Sequence, residues 1–104
     1  MTATFIYVTA SSYEDAHKIG SAVVAERLAA CANLLPGMTS IFWWEGRIQE
    51  ASEVTLILKT RSDLVERLTD RVRELHPYEC PCIVALPITG GNGMFIDWIV
   101  SETT

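Results

Sequence analysis

Two strand-like segments separated by a short polar stretch occupy the middle of the chain. Residues 39–44 read TSIFWW and residues 54–59 read VTLILK, and both are rich in the aromatic and β-branched side chains that favour strands. Glu45 and Gly46 suit a turn between them, and Ile48 continues the apolar alternation. This pattern predicts a long hairpin that projects beyond the core. Because unpaired edges and bare apolar patches promote aggregation, we expect such a hairpin to need a partner.

The segment before the hairpin predicts a strand followed by a helix. Residues 4–8 (TFIYV) are typical of a buried strand. A helix is predicted from about Ser12, where Asp15 three residues later resembles a capping box, to about Ala30. Cys31 is therefore expected at the end of this helix, facing the core or its edge.

The segment after the hairpin predicts a helix, a strand and a short terminal helix. The second helix runs from Ser62 to His76, because one face is apolar, the other is charged, and Pro77 disfavours helical geometry in the residue before it. Residues 82–86 (CIVAL) form a continuous apolar run that is typical of a central strand. Residues 94–100 (MFIDWIV) favour the short helix.

The order of these segments predicts the fold class. Strand, helix, strand, strand, helix, strand is the βαββαβ order of an α+β ferredoxin-like plait, with an antiparallel sheet, both main helices on one face and an added C-terminal helix. Pro36 and Gly37 are expected to separate the first helix from the hairpin. A chain of 104 residues has the usual size of one compact domain, so residues 1–104 are expected to form a single domain.

Composition and charge exclude several classes of protein. Apolar residues make up 49% and charged residues 20%, which are globular proportions and argue against disorder. A formal net charge of −5 opposes nucleic-acid binding, which depends on cationic side chains. No run approaches the roughly 18 apolar residues of a membrane span. The opening residues MTATFIYVTA lack the basic region of a signal peptide, so a cytoplasmic location is expected.

Six sequence blocks together resemble one known family. The resemblance is to the CutA family of divalent-cation tolerance proteins, and it covers nearly the whole chain, in order. It rests on ERLAACANLLPG (26–37), SIFWWEGRIQE (40–50), LILKT (56–60), HPYECP (76–81), ALPI (85–88) and DWI (97–99).

The resemblance implies a fold, an assembly and a function. It implies a tight homotrimer similar to the PII signalling proteins, which binds divalent metal, copper above all, and contributes to metal tolerance. The alternative is a PII-like signalling module that binds a small metabolite in the cleft between subunits. No enzymatic reaction is implied, and the turn TASSYED (9–15) lacks the arginine that an acylphosphatase of the same plait would need.

The candidate metal ligands lie mostly in one short segment. They are His76, Cys80 and Cys82, with Cys31 and Glu79 as further candidates. Imidazole suits copper or zinc, and thiolates favour Cu(I) or Zn over hard cations. The alternative for His76 is to cap the carbonyl groups of the helix end, and the alternative for the thiols is burial. Strand alternation places residues 80 and 82 on one face, so both thiols are buried or both are reachable.

The same segment departs from the family's pattern at three positions. The family often has two adjacent histidines here, whereas this chain has Leu75 before His76. Relatives more often have valine and glutamate where this chain has Cys80 and Cys82, so an oxygen ligand is lost and two thiols are gained. A bridge across Pro81 would be strained, and the chain has three cysteines, so free thiols in a reducing compartment are expected.

A second group of residues in the matched blocks is expected near subunit boundaries. In one interpretation these residues form the interface, with Lys59 paired to Glu45 or Glu79 of another subunit. In the other, they line an intersubunit pocket for a small anion or metabolite. The group comprises Trp44, Glu45, Lys59, Tyr78, Asp97 and Trp98.

Overall fold

The computed structural model describes residues 1–104 as a four-stranded sheet with three helices. The elements are β1 (Ala3–Ala10), α1 (Tyr13–Ala25), β2 (Cys31–Trp44), β3 (Arg47–Arg61), α2 (Val65–Leu75), β4 (Ile83–Pro87) and α3 (Gly93–Ser101), with a 3₁₀ turn at Ser62–Leu64. The predicted α+β order, βαββαβ with an added helix, is confirmed. None of the helices has the length and apolar character that a membrane crossing requires.

The sheet is antiparallel throughout and has the order β2-β3-β1-β4. β1 is central, since it pairs with β3 on one side and β4 on the other. The prediction that residues 82–86 form a central strand is wrong, because β4 lies at the edge and leaves Val84 and Leu86 almost half exposed. A continuous apolar run is typical of a central strand, but β4 has the same pattern although its outer face and its free edge are uncovered. The run alone therefore does not show where a strand lies in the sheet.

The core lies between one face of the sheet and the first two helices. Alternate residues of β1 and β3, including Ile6 and Leu58, are fully buried there. Ile19 of α1 and Leu68 of α2 pack into the same apolar cluster. The capping prediction at α1 is confirmed, because the Ser12 hydroxyl accepts a hydrogen bond from the Asp15 amide at 3.1 Å.

The first helix ends earlier than predicted. Arg27 adopts a positive φ of 60°, and the Leu28 amide donates to the carbonyl of Val23, which closes the helix in the manner of a left-handed cap. The chain then enters the sheet, where the Ala30 amide donates to the carbonyl of Lys59 at 2.8 Å. Cys31 is thus the first residue of β2 and not the end of a helix.

The hairpin of β2 and β3 is longer than predicted and projects from the core. Pro36 and Gly37 do not end a segment but lie in an irregularity inside β2, where the pairing shifts register between Leu35 and Met38. Proline cannot donate to the ladder, and a bulge removes the need for that bond. The predicted turn is confirmed, since Glu45 and Gly46 both have positive φ values and join the strands as a two-residue loop.

The projecting part of the hairpin carries large apolar side chains that nothing in the chain covers. Ile41, Trp43 and Ile48 are 65–71% exposed. The longest dimension of the subunit is 43 Å, against 25 and 22 Å in the other directions. The prediction of an exposed, projecting apolar hairpin is confirmed.

Candidate functional site

A groove of about 790 Å³ runs between the hairpin and the segment that joins α2 to β4. We call it the hairpin groove. Its size lies within the usual range of small-molecule sites. Its lining consists of Tyr7, Thr9, Met38, Thr39, Ser40, Ile41, Phe42, Trp44, Gln49, Ala51, Glu53, Tyr78, Glu79, Cys80 and Cys82. Four of the predicted site residues, Tyr78, Glu79, Cys80 and Cys82, therefore meet Trp44 in one concavity.

His76 is buried behind this groove and uses both ring nitrogens. Its Nε2 lies 2.7 Å from the carbonyl oxygen of Thr9, and its Nδ1 lies 3.1 Å from the backbone nitrogen of Tyr78. Because a carbonyl only accepts and an amide only donates, the proton is on Nε2 and the lone pair of Nδ1 is engaged. Metal ligation by His76 would require breaking one of these bonds. The ring caps no helix carbonyl through these bonds, so it joins the end of α2 to β1 instead.

Tyr78 and Glu53 form a hydrogen-bonded pair in the groove. The Tyr78 hydroxyl donates to Oε2 of Glu53 at 2.9 Å, and Glu53 is only 9% exposed. Burial of the phenol comes first among the causes that raise the pKa of Tyr78 from its ordinary 10.0 to about 12, followed by the hydrogen bond to Glu53 and that carboxylate's negative charge. Tyr78 is thus a neutral donor across the physiological range of pH.

The two thiols beside Pro81 are reachable and not part of the apolar core. Cys80 is exposed and Cys82 is half-buried, and neither forms a disulfide. Burial, and then the negative charge of Glu53, raise the pKa of Cys82, while a hydrogen bond with Thr9 opposes the shift. Of the two alternatives that the sequence left open, the structure shows thiols that face a groove.

Sequence reasoning missed several residues of this site, among them Tyr7, Met38 and Glu53. The sulfur of Met38 accepts hydrogen bonds from the Thr55 hydroxyl at 3.0 Å and the Tyr7 hydroxyl at 3.4 Å. Glu53 was the most detectable of the missed residues, because it directly precedes the apolar run VTLILK. An acidic side chain is rarely buried unless it has a binding partner.

The other predicted site residues lie elsewhere in the subunit. Glu45 is at the hairpin turn, and Asp97 and Trp98 are on α3. Lys59 donates from Nζ to Oδ1 of Asn33 at 2.7 Å and lies over the Phe95 ring. Cys31 lies opposite Lys59 in the β2–β3 register and is half-buried. The expected cleft set is therefore divided between the groove, the hairpin turn and the α3 region.

The donor set of the groove fits a metal ion only in part. Two thiols and a neighbouring carboxylate suit soft or borderline cations. However, no three of the histidine, cysteine, aspartate and glutamate side chains of one chain converge closely enough to hold an ion. The chain by itself therefore does not present a complete set of metal ligands.

Comparison with known sequences gives consistent results. The family model described as CutA1 divalent ion tolerance protein matches residues 4–102. The divalent-cation tolerance protein CutA of Thermus thermophilus is 46% identical over 98 residues, covering 94% of this chain and 95% of the relative. The human protein CutA is 48% identical over 97 residues, covering 93% of this chain. This chain spans about half the length of the human and plant relatives, 54% for the human protein and 55% for a chloroplastic protein of rice.

Comparison with solved structures gives the same result for the fold. The divalent cation tolerance protein of Thermus thermophilus superimposes with a TM-score of 0.95 at 44% identity, covering 98% of this chain and 99% of that chain. CutA1 of Oryza sativa superimposes with a TM-score of 0.96 at 38% identity, covering 100% and 95% respectively. With sequence and fold in agreement over nearly the full length of this chain, the chain belongs to the CutA family of divalent-cation tolerance proteins.

Proposed function

We propose that this protein is a non-enzymatic homotrimer that binds metal ions, copper above all, and contributes to tolerance of them. The tolerance role is supported by relatives such as the divalent-cation tolerance protein CutA of Thermus thermophilus. The observation that carries the metal-binding role is that Cys80 and Cys82 are free thiols that line one groove. Free thiols also support a reducing compartment such as the cytoplasm as the place of action.

The thiol pair supports binding of a soft or borderline metal ion such as copper. Thiolates are soft ligands that select Cu(I) and Zn over hard cations. Cys80 and Cys82 are separated only by Pro81 and line the same groove, so both can contribute to the binding of one ion. In the trimer, the ligands that one chain lacks come from solvent or from another subunit. His76 contributes by holding this segment against β1 rather than through a ring nitrogen.

The uncovered hairpin supports self-association. Large apolar side chains are exposed both on the hairpin and on the edge strand β4, and soluble monomers rarely leave extensive apolar surface or bare strand edges uncovered. Copies of the same chain can cover it, because closed symmetric assemblies bury equivalent patches. Three copies in a PII-like arrangement follow from the family resemblance.

Two measurements test this proposal. In a competition titration with copper under reducing conditions, the double variant Cys80→Ser with Cys82→Ser should bind copper at least about tenfold more weakly than the parent. Cys31→Ser, which removes a thiol outside the groove, should bind as the parent does. Equal affinities for all three proteins would refute the thiol site.

The second measurement is the mass of the assembly by light scattering. The parent should have three times the mass of the chain, and replacement of Ile41 and Trp43 by aspartate should shift the protein toward smaller species, since charges are disfavoured in an interface core. A monomeric parent would refute the homotrimer.

A further inference from the structure

Glu53 is the only acidic side chain that the fold buries, and it has no cationic partner. It is 9% exposed, and its one side-chain hydrogen bond comes from the neutral phenol of Tyr78. The ion pairs of the chain involve other residues: Arg27–Glu102, Arg61–Asp63, Arg71–Glu26 and Arg71–Glu74. A buried carboxylate is normally paired with a cation, and this chain supplies none for Glu53.

The charge of the hairpin groove determines which sign of charge a partner of Glu53 must carry. The hairpin groove contains the carboxylates of Glu53 and Glu79, and no lysine, arginine or histidine is among its lining residues. Tyr78 does not neutralise this charge, since a phenol with a pKa of about 12 donates a hydrogen bond without carrying a positive charge. A cleft lined by one sign of charge concentrates ions of the opposite sign, so the groove attracts cations and repels anions.

The wall that leads away from Glu53 is mostly apolar. In the hairpin register Met38 pairs with Glu53, and Phe42 pairs with Gln49 farther along the same face. The side chains between them on that face include Ala51. Glu53 and Gln49 are four residues apart, which is about 13 Å in a strand. The groove thus has room for an apolar body of that length beyond the carboxylate.

We propose that the hairpin groove binds a small organic ammonium ion, with its charged head against Glu53 and its alkyl body along Met38 and Phe42. The free Oε1 of Glu53 can accept a hydrogen bond from the ammonium group while Oε2 keeps its bond to Tyr78. The ring of Tyr7 in the groove lining adds a face that attracts cations. An ammonium ion needs only this one carboxylate, whereas a metal ion in this groove needs ligands beyond those that one chain brings together.

The test uses three probes that differ only in their head group, titrated calorimetrically into the assembled full-length protein. The probes are hexylamine, 1-hexanol and hexanoate at neutral pH. Hexylamine should bind at least about tenfold more tightly than either of the others. Glu53→Gln should remove this preference, because the amide keeps the size of the side chain and accepts from Tyr78 but carries no charge. Glu50→Gln, an exposed carboxylate of the same strand, is the matched control and should behave as the parent does.

A second variant tests the site without altering the buried carboxylate. Phe42→Ala should weaken the binding of hexylamine several-fold but leave the binding of methylamine unchanged, because only the longer ion reaches the Phe42 side chain. Equal binding of the three probes would overturn the inference. So would a structure of the assembly in which a lysine or arginine of another subunit pairs with Glu53. Copper binding without hexylamine binding would refute this inference and leave the proposed metal-binding function intact. Hexylamine binding without copper binding would support this inference and refute the proposed metal-binding function.

Discussion

His76 and Thr9 are joined by a 2.7 Å hydrogen bond from the imidazole Nε2 to the backbone carbonyl oxygen. The bond links the residue that ends α2 to the central strand β1, and the other ring nitrogen accepts from the Tyr78 amide. The imidazole thereby fixes the start of the segment that carries Tyr78 and both thiols. A residue that the sequence predicts as a candidate metal ligand is, in this fold, a structural connection behind the site.

Replacing His76 with alanine should therefore destabilise the protein more than it weakens metal binding. The variant leaves the Thr9 carbonyl without a side-chain partner in a buried place, which should lower the free energy of unfolding by about 2 kcal/mol. Copper affinity should change far less than in the cysteine double variant. The measurement is denaturant unfolding at one fixed protein concentration, since the proposed assembly would make stability concentration-dependent.

The control for this variant is His17→Ala, which removes an exposed histidine from α1. Its effect should stay within about 0.5 kcal/mol. A large loss of copper affinity in His76→Ala with unchanged stability would show that the imidazole is a ligand after all.

The pair of Tyr78 and Glu53 predicts a loss of stability at high pH. The pKa of Tyr78 is about 12 in the fold and 10.0 in the unfolded chain, so between these values the folded state holds a proton that the unfolded state has lost. Stability falls as pH rises wherever the folded state binds more protons. The contribution of Tyr78 is thus fully present below pH 10 and disappears as pH approaches 12.

The measurement is the melting temperature as a function of pH for the parent and for Tyr78→Phe. The difference between the two should shrink between about pH 10 and pH 12, since the variant has no proton to lose there. Tyr13→Phe, at an exposed position, corrects for the general effect of removing a hydroxyl. A difference that stays constant over this range would contradict the prediction.

The two groove thiols should react with alkylating agents at different rates. Cys80 is exposed, whereas Cys82 is half-buried and its pKa is raised by burial and by the charge of Glu53. Because the thiolate is the nucleophile, Cys80 should be modified first by iodoacetamide at neutral pH. Peptide mass spectrometry at several times gives both rates. In Glu53→Gln the Cys82 thiol should react faster, and an unchanged rate would show that the carboxylate does not act on it.

Gly20 lets α1 lie close against the sheet. A Cβ at this position would lie 3.0 Å from Cβ of Ala32 and 3.3 Å from Cδ1 of Leu56. Gly20→Ala should therefore destabilise the protein by about 1–3 kcal/mol in thermal unfolding, despite the better helix propensity of alanine. Gly93→Ala, where no atom lies within 4 Å of the new Cβ, should be neutral or slightly stabilising. A stabilised Gly20→Ala variant would mean that the helix shifts freely over the sheet.

Local patterns in the sequence were sufficient for most of the elements. Helical periodicity gave α2, the capping serine gave the start of α1, and the pair Glu45 and Gly46 gave the hairpin turn. The errors occurred where local signals are ambiguous. Residues 26–30 continue an apolar helical pattern, but the left-handed conformation of Arg27 ends the helix so that Ala30 can pair with β3. Periodicity carries no information about such a change of direction.

The candidate site was harder to predict than the fold. The segment with His76, Tyr78, Cys80 and Cys82 was visible because its residue types are chemically distinctive. The sequence did not show that the imidazole would be fully hydrogen-bonded while the thiols would be accessible. It also did not indicate Glu53, because its partner Tyr78 lies 25 residues away and the two meet only through the sheet.

The sequence by itself determined the order of elements, the family and the presence of an apolar hairpin that one chain cannot cover. These depend on local propensity and on side-chain alternation, which are properties of short segments. Only the tertiary structure decided which side of the segment from His76 to Cys82 faces the protein and which faces the groove. That choice depends on where β1 and β3 place Thr9 and Glu53, because hydrogen bonding and burial depend on distances between residues far apart in the chain.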